Sequence, residues 1–139
     1  MPLTGNFSAL ERWERKLGRI GDGATRFEIA DGMADAALGL VAEGFGRESD
    51  PFGGAWKPKK RPNGRAILRG KTDRLVKWRK SFVNQHGYRI NSTAPYAKFI
   101  QRGTKHMVAR RMVPDGRLPA KWSSEFRGVF IRRMHALLR

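Results

Sequence analysis

Three histidines, twelve carboxylates and no cysteine bound the chemistry this 139-residue chain can carry. The absence of Cys excludes disulfides, thiolate zinc sites and Cys nucleophiles. His86, His106 and His135 are scattered, with no H-x-x-x-H spacing and no acidic cluster around them, so they do not read as a metal site. Metal-dependent nucleases bring two or more carboxylates together. Residues 51–139 hold only Asp73, Asp115 and Glu125, far apart in sequence. Asp31 and Asp35 fall on the same side of a helix, which reads as a solvated face and not as an acid–base pair. GRAILRGK (64–71) has Gly and Lys but not the G-x-x-x-x-G-K-[ST] spacing of a phosphate loop. These patterns point away from an enzyme, and no residue is assigned to catalysis, a metal or a cofactor.

Positive charge is the chemistry that is abundant. The formal net charge is +17. Residues 1–50 carry six Arg/Lys against nine Asp/Glu, whereas residues 51–139 carry 23 basic residues against three acids. Such asymmetry calls for an anionic partner, which could be nucleic acid, an anionic surface or an acidic protein. PYAKFIQRGTKHMVARRMVP (95–114) contains no carboxylate and places Lys105, Arg110 and Arg111 in a basic run. A second cluster, Lys59, Lys60 and Arg61, follows Phe52 and Trp56. These six cations are the candidate DNA- or anion-facing residues. Aromatic rings beside cations can stack bases and bind phosphate, and they can equally anchor an arm on a neighbouring subunit. The spacing leaves both uses of Phe52 and Trp56 open.

The elements that must position these groups are read from periodicity. SALERWERKLGRIG (8–21) opens with Ser8 and Glu11 at capping-box spacing and carries Leu10, Trp13, Leu17 and Ile20 on one stripe. A second helix is expected from Thr25, capped by Thr25 and Glu28, with Phe27, Ala30, Met33, Ala34, Ala37 and Val41 on one face. Gly44 and Gly46 are expected to stop it, and Gly32 and Gly39 to admit a close neighbour. Residues 45–66 hold four Gly after Phe45 and three Pro, without periodicity, and read as a long loop or arm that orders on assembly. A strand at Ala66–Leu68 is expected next. Val76, Trp78 and Phe82 would then share the apolar face of an antiparallel hairpin that turns at NQHG and returns through YRINS. Ser92 or Thr93, then Pro95, begin a short helix that carries Tyr96, Phe99 and Ile100 and stops at Gly103, ahead of an extended basic run. Pro119 opens the last helix, with Trp122, Phe126, Val129, Phe130 and Leu137 near one face.

The fold class expected is α+β, with N-terminal helices and a C-terminal helix packed on a small antiparallel sheet and a long extended loop. One domain over 1–139 fits the length: a helical region at 1–44, a basic arm at 45–66, and sheet plus helices at 67–139. No apolar run reaches the roughly 18 residues of a membrane span, so no membrane partner is expected. The opening residues contain acids and no continuous apolar block, unlike a secretory leader.

The order of motifs resembles the phage virion morphogenesis, or tail-completion, family of tailed bacteriophages, and more widely their small neck and tail-terminator proteins. GGAWKPKK (53–60), ILRGKTDRLVKWRKSF (67–82), GYRINSTAPYAKFIQRGT (87–104) and ARRMVPDGRLPAKW (109–122) stand in that order. Trp56–Pro58, Ile67–Leu68, Leu75, Ser81, Pro95–Ala97, Gly103 and Ala109–Pro114 occupy the matching places. RGKTDRL (69–75) departs from the family's Thr-Gly-Leu type of turn. The resemblance covers about residues 50–139. It implies a structural subunit of a ring, commonly a hexamer, in the virion neck or at the tail end, assembled in the host cytoplasm. Its partners would be its own copies, the tail tube protein and head–tail connector proteins, with genomic DNA passing through the channel. Phe52, Trp56, Tyr96 and Phe99 are the subunit-interface residues this reading suggests. The alternative is a basic nucleic-acid-binding protein without a virion role.

Overall fold

A computed structural model describes residues 11, 12, 14, 15, 18 and 21–138. The capping box at Ser8 and the stripe of Leu10, Trp13, Leu17 and Ile20 lie outside the described residues. The architecture is α+β: a long helix and a C-terminal helix pack with a two-stranded antiparallel sheet.

Helix α1 spans Gly23–Arg47 and is longer than expected at both ends. Asp22, not Thr25, is the N-cap, and its carboxylate accepts from the Ala24 amide at 3.3 Å. At the other end Gly44 and Gly46 stay helical. Each glycine costs about 1 kcal/mol relative to Ala, but burial of Val41 and Phe45, each 2% exposed, outweighs that loss. Glu48 then takes the left-handed position that usually falls to Gly, with φ 53°. Ala30, Ala34, Ala37 and Val41 are buried as the stripe implies, whereas Phe27 is exposed.

Strands β1 (Trp78–Asn84) and β2 (Gly87–Ser92) form the expected hairpin. Asn84 sets its turn, accepting from the His86 amide at 2.8 Å and the Gly87 amide at 3.0 Å. Ala66–Leu68 is not a strand. The segment turns there, with Arg69 N–H bonded to Ala66 C=O at 3.1 Å and Leu68 at φ 63°. The expected face of β1 is also corrected. The register shifts between Lys80 and Phe82, so Trp78 and Lys80 face one way and Phe82 the other. Bulges have this effect because one extra residue reverses the alternation beyond it.

Helix α2 (Ala97–Arg102) is short, and helix α3 (Ala120–Leu138) begins after Pro119 as expected. Tyr96 is the N-cap of α2 without a side-chain bond. Ser92 Oγ instead accepts from the Ala94 amide at 3.2 Å, and Thr93 Oγ1 donates to Arg74 C=O at 2.8 Å. Helix α1 contacts both strands and α3. A Cβ on Gly32 would sit 2.9 Å from Val129 Cγ1, so that glycine sets the approach of α3. No atom comes within 4 Å of a Cβ on Gly39, so the second expected close approach is not made there. The core gathers Leu40, Val41 and Phe45 of α1, Trp56 and Leu75 of the loop, Ala94, Met112 and Trp122. Its aromatic contacts are edge-on: Phe45 to Trp56 at 5.3 Å, and Phe126 to both Trp122 and Tyr88 at 6.1 Å.

Candidate assembly surfaces

The stretch 95–114 is a strap folded back on the molecule. Gly103 ends α2 at φ 79°, and a Cβ there would lie 2.8 Å from the Ala109 nitrogen and 3.1 Å from the Met107 oxygen. Conformation and packing therefore both demand glycine. Thr104 and Met107 close a tight turn, and the Arg110 amide bonds back to Ile100 C=O at 2.9 Å. Gln101 fastens the end of the strap: its amide oxygen accepts from Met112 and Val113 N–H at 2.8 and 3.2 Å, and its NH2 donates to Val113 C=O at 2.8 Å. No sequence motif singled out Gln101, because its role depends on a segment eleven residues away that is extended but belongs to no strand.

The same strap holds the basic loop. Trp56 Nε1 donates to Arg111 C=O at 2.9 Å, and Arg110 donates from Nε to Lys57 C=O at 3.0 Å and from Nη2 to Pro58 C=O at 3.1 Å. Trp56 is only 6% exposed. The expectation that it reaches out as an interface arm is therefore corrected: its ring is worth more against Phe45 and the strap than in water. The Trp56 amide also bonds Glu48 C=O at 2.9 Å, which ties this part of the loop to the end of α1. Asp50 builds the turn before it, accepting from the Phe52 and Gly54 amides at 2.9 Å each.

The remaining predicted residues lie at the surface. Phe52 is exposed, with the Arg117 guanidinium 5.3 Å from its ring centre. It borders a cleft of about 640 Å³ that runs between the end of α1 and the start of α3 and includes Glu43, Arg47, Asp50 and Lys121. Tyr96 and Phe99 are exposed elsewhere, on α2 and its approach. Tyr96 borders a smaller cleft of about 200 Å³ beside Leu68 and Asp73, and Lys98 Nζ stands 5.1 Å from the Phe99 ring. Among the cations, Lys60, Arg61, Lys105 and Arg111 are exposed. Lys59 is tied to Asn63 Oδ1 at 2.6 Å and Arg65 C=O at 2.8 Å. Arg110 commits Nε and Nη2 to the loop carbonyls, so it positions the basic loop and has fewer N–H donors left for a partner.

Carboxylates are used internally. Asp31 and Asp35 both contact Lys80 Nζ, at 2.8 and 2.9 Å, which pins β1 to α1. Hydrogen bonds that Lys80 donates to Asp31 and then to Asp35 hold its pKa above the ordinary value. Glu43 bonds Lys121 at 2.5 Å and Arg47 at 2.8 Å, and the Lys121 hydrogen bond chiefly holds its carboxyl below the ordinary value. Glu48 accepts from the Ile67 amide at 3.1 Å. Among the described residues no three His, Asp or Glu side chains converge as metal ligands, and no helix is long and apolar enough to cross a membrane.

No protein-family model, curated protein sequence or solved structure matches the chain.

Proposed function

We propose that this chain is a structural, non-catalytic virion protein of a tailed bacteriophage, a tail-completion, tail-terminator or neck subunit that closes a homo-oligomeric ring between tail and head. The observation that carries this reading is the meeting of the separated motifs in one structural unit. Trp56–Pro58, Gly103 and Ala109–Pro114 are joined by the Trp56–Arg111 and Arg110–Lys57/Pro58 hydrogen bonds and by the Gly103–Ala109 contact. A ring needs two different patches per subunit. Phe52 at the 640 Å³ cleft and Tyr96 at the 200 Å³ cleft supply exposed aromatics on two distinct surfaces. The proposed contacts are neighbouring copies through those patches, the tail tube protein and connector proteins at the ring faces, and genomic DNA along a cationic lumen.

A second reading, a nucleic-acid-binding protein without a virion role, is favoured by one specific observation: among the described residues, only Arg69 and Lys80 of the cations at 57–111 form ion pairs, so the rest await a foreign anion. Light-scattering mass and negative-stain imaging separate the two. A hexamer-sized ring with a central hole is expected. A chain that stays monomeric at every soluble concentration, and binds duplex DNA with a steep salt slope, overturns the ring reading in favour of the second.

A further inference from the structure

The bulge in β1 creates a surface that the ring reading does not use and that the second reading does not single out. Among the described residues the strands pair only with each other, and α1 lies against one side of the hairpin. Trp78 and Lys80 face that side, with Lys80 Nζ held by Asp31 and Asp35. Regular alternation would send Phe82 the same way, beneath α1. The register shift instead turns it to the uncovered side, where it is 51% exposed and pairs across the sheet with Arg89. Arg79, opposite Asn91, faces the same way. Ser81 Oγ donates to Arg89 C=O at 3.2 Å and ties the bulge to β2. Arg79, Phe82, Arg89 and Asn91 are all exposed, and neither arginine forms an ion pair among the described residues.

An exposed phenyl ring that shares the outer hairpin face with two arginines forming no ion pair among the described residues, one across from it and one along its own strand, with an amide beside them, suits one ligand chemistry. A flat, uncharged π-surface stacks on Phe82 while anionic groups on either side meet Arg79 and Arg89. Unpaired nucleotides present both features at once. A duplex keeps its base faces stacked inside and offers phosphates and groove edges, neither of which stacks on a ring. An acidic protein would neutralise the arginines but gain nothing from the ring. An apolar protein face would cover the ring at the cost of desolvating two unpaired charges.

We propose that the outer face of the β1–β2 hairpin binds single-stranded nucleic acid, with Phe82 as the stacking platform, Arg79 and Arg89 as phosphate contacts and Asn91 within reach of a base edge. This goes beyond the ring reading and stands or falls separately from it. The test is fluorescence anisotropy of the full chain with a single strand of about 12 nucleotides, spanning the usual site size, the matching duplex, and polyglutamate. Phe82→Ala is expected to weaken single-strand binding about 10-fold or more, and to change duplex and polyglutamate binding less than about twofold. Phe82→Trp should restore the single-strand affinity. Arg79→Gln with Arg89→Gln should lower the salt slope by roughly 0.7 per cation removed. Because these side chains are exposed, circular dichroism should show each variant folded. Unchanged single-strand affinity in Phe82→Ala, or an equal loss for all three ligands, overturns the proposal. Tighter binding of polyglutamate than of the single strand overturns it in favour of an acidic protein partner.

Discussion

Replacing Trp56 with Ala separates a structural strap from an interface arm. The indole is 6% exposed, lies edge-on to Phe45 at 5.3 Å, and donates to Arg111 C=O at 2.9 Å. Truncating a buried Trp to Ala costs about 3–5 kcal/mol. The Arg111 carbonyl also loses its partner, which adds about 1 kcal/mol if water does not reach it. Even without that addition, a loss near 4 kcal/mol is large for a domain of this length, whose total stability should be roughly 7–20 kcal/mol. At about 3–5 °C per kcal/mol for this size, Tm should fall by about 12–20 °C. Trp56→Phe keeps the packing against Phe45 and removes the indole donor, so it should cost only about 1–2 kcal/mol. Urea titrations followed by circular dichroism measure both variants, and ring formation is scored at a temperature where each remains folded. If Trp56→Ala unfolds within about 0.5 kcal/mol of the parent but no longer assembles, Trp56 acts at a subunit interface and the strap is wrongly drawn.

Tyr96→Ala and Phe99→Ala remove rings that are 43% and 51% exposed; each should shift stability by less than about 1 kcal/mol and reduce ring assembly, and normal assembly by both would remove them from the interface. Gly39→Ala meets open space and should gain about 1 kcal/mol from helix propensity, whereas Gly32→Ala drives a methyl to 2.9 Å from the buried, χ1-stiff Val129 and should show a net loss of roughly 1 kcal/mol; equal gains at both positions would mean that α3 yields easily. The Lys80 pKa is held above its ordinary 10.5, so its contribution to stability is complete below that value and is lost as pH rises through the higher folded-state value; changing Asp31 and Asp35 to Asn should flatten this alkaline limb of the Tm profile. Glu43 is held below its ordinary 4.5, so its contribution is present above that pH and is lost as pH falls through the lower folded-state value; Lys121→Met should remove that part of the acid limb, and an unchanged limb would show the pair to be energetically idle.

What the sequence showed well was local. Asn84-Gln-His-Gly87 marks the hairpin turn, Pro119 marks the start of α3, and Gly103 marks the end of α2, because each signal acts within a few residues. What it hid was decided at long range. The Gly44 and Gly46 stop signals lose to burial of Phe45, whose partner Trp56 lies eleven positions on. The Phe82 face is reversed by one inserted residue, invisible to a periodicity that counts only apolar positions. Trp56 reads as an arm because its loop has no periodic neighbours; its burial comes from a strap 55 residues away. Most of the candidate surface was legible as composition, an excess of cation, but not as geometry: Arg110 looks like Arg111 in sequence, yet its guanidinium is spent on two carbonyls.

The distribution of internal ties narrows what the free charge is for. Asp22, Glu28, Asp31, Asp35, Glu43, Glu48, Asp50 and Asp73 each hold a backbone amide or a cation of the same chain. A head-to-tail contact between identical subunits could in principle set the acidic first third of one copy against the basic remainder of the next. Doing so would require breaking ties that position α1, the loop and the hairpin, and each exposed pair gained would return little. Copies of this chain are therefore poorly suited to neutralise one another. In the proposed ring, contacts between copies would then come mainly from apolar surface such as Phe52, Tyr96 and Phe99, with the cations left for an anion brought from outside. A ring held by aromatics and facing a foreign polyanion should keep its copy number as salt is raised and release the polyanion, whereas a ring held by charge would fall apart under the same titration.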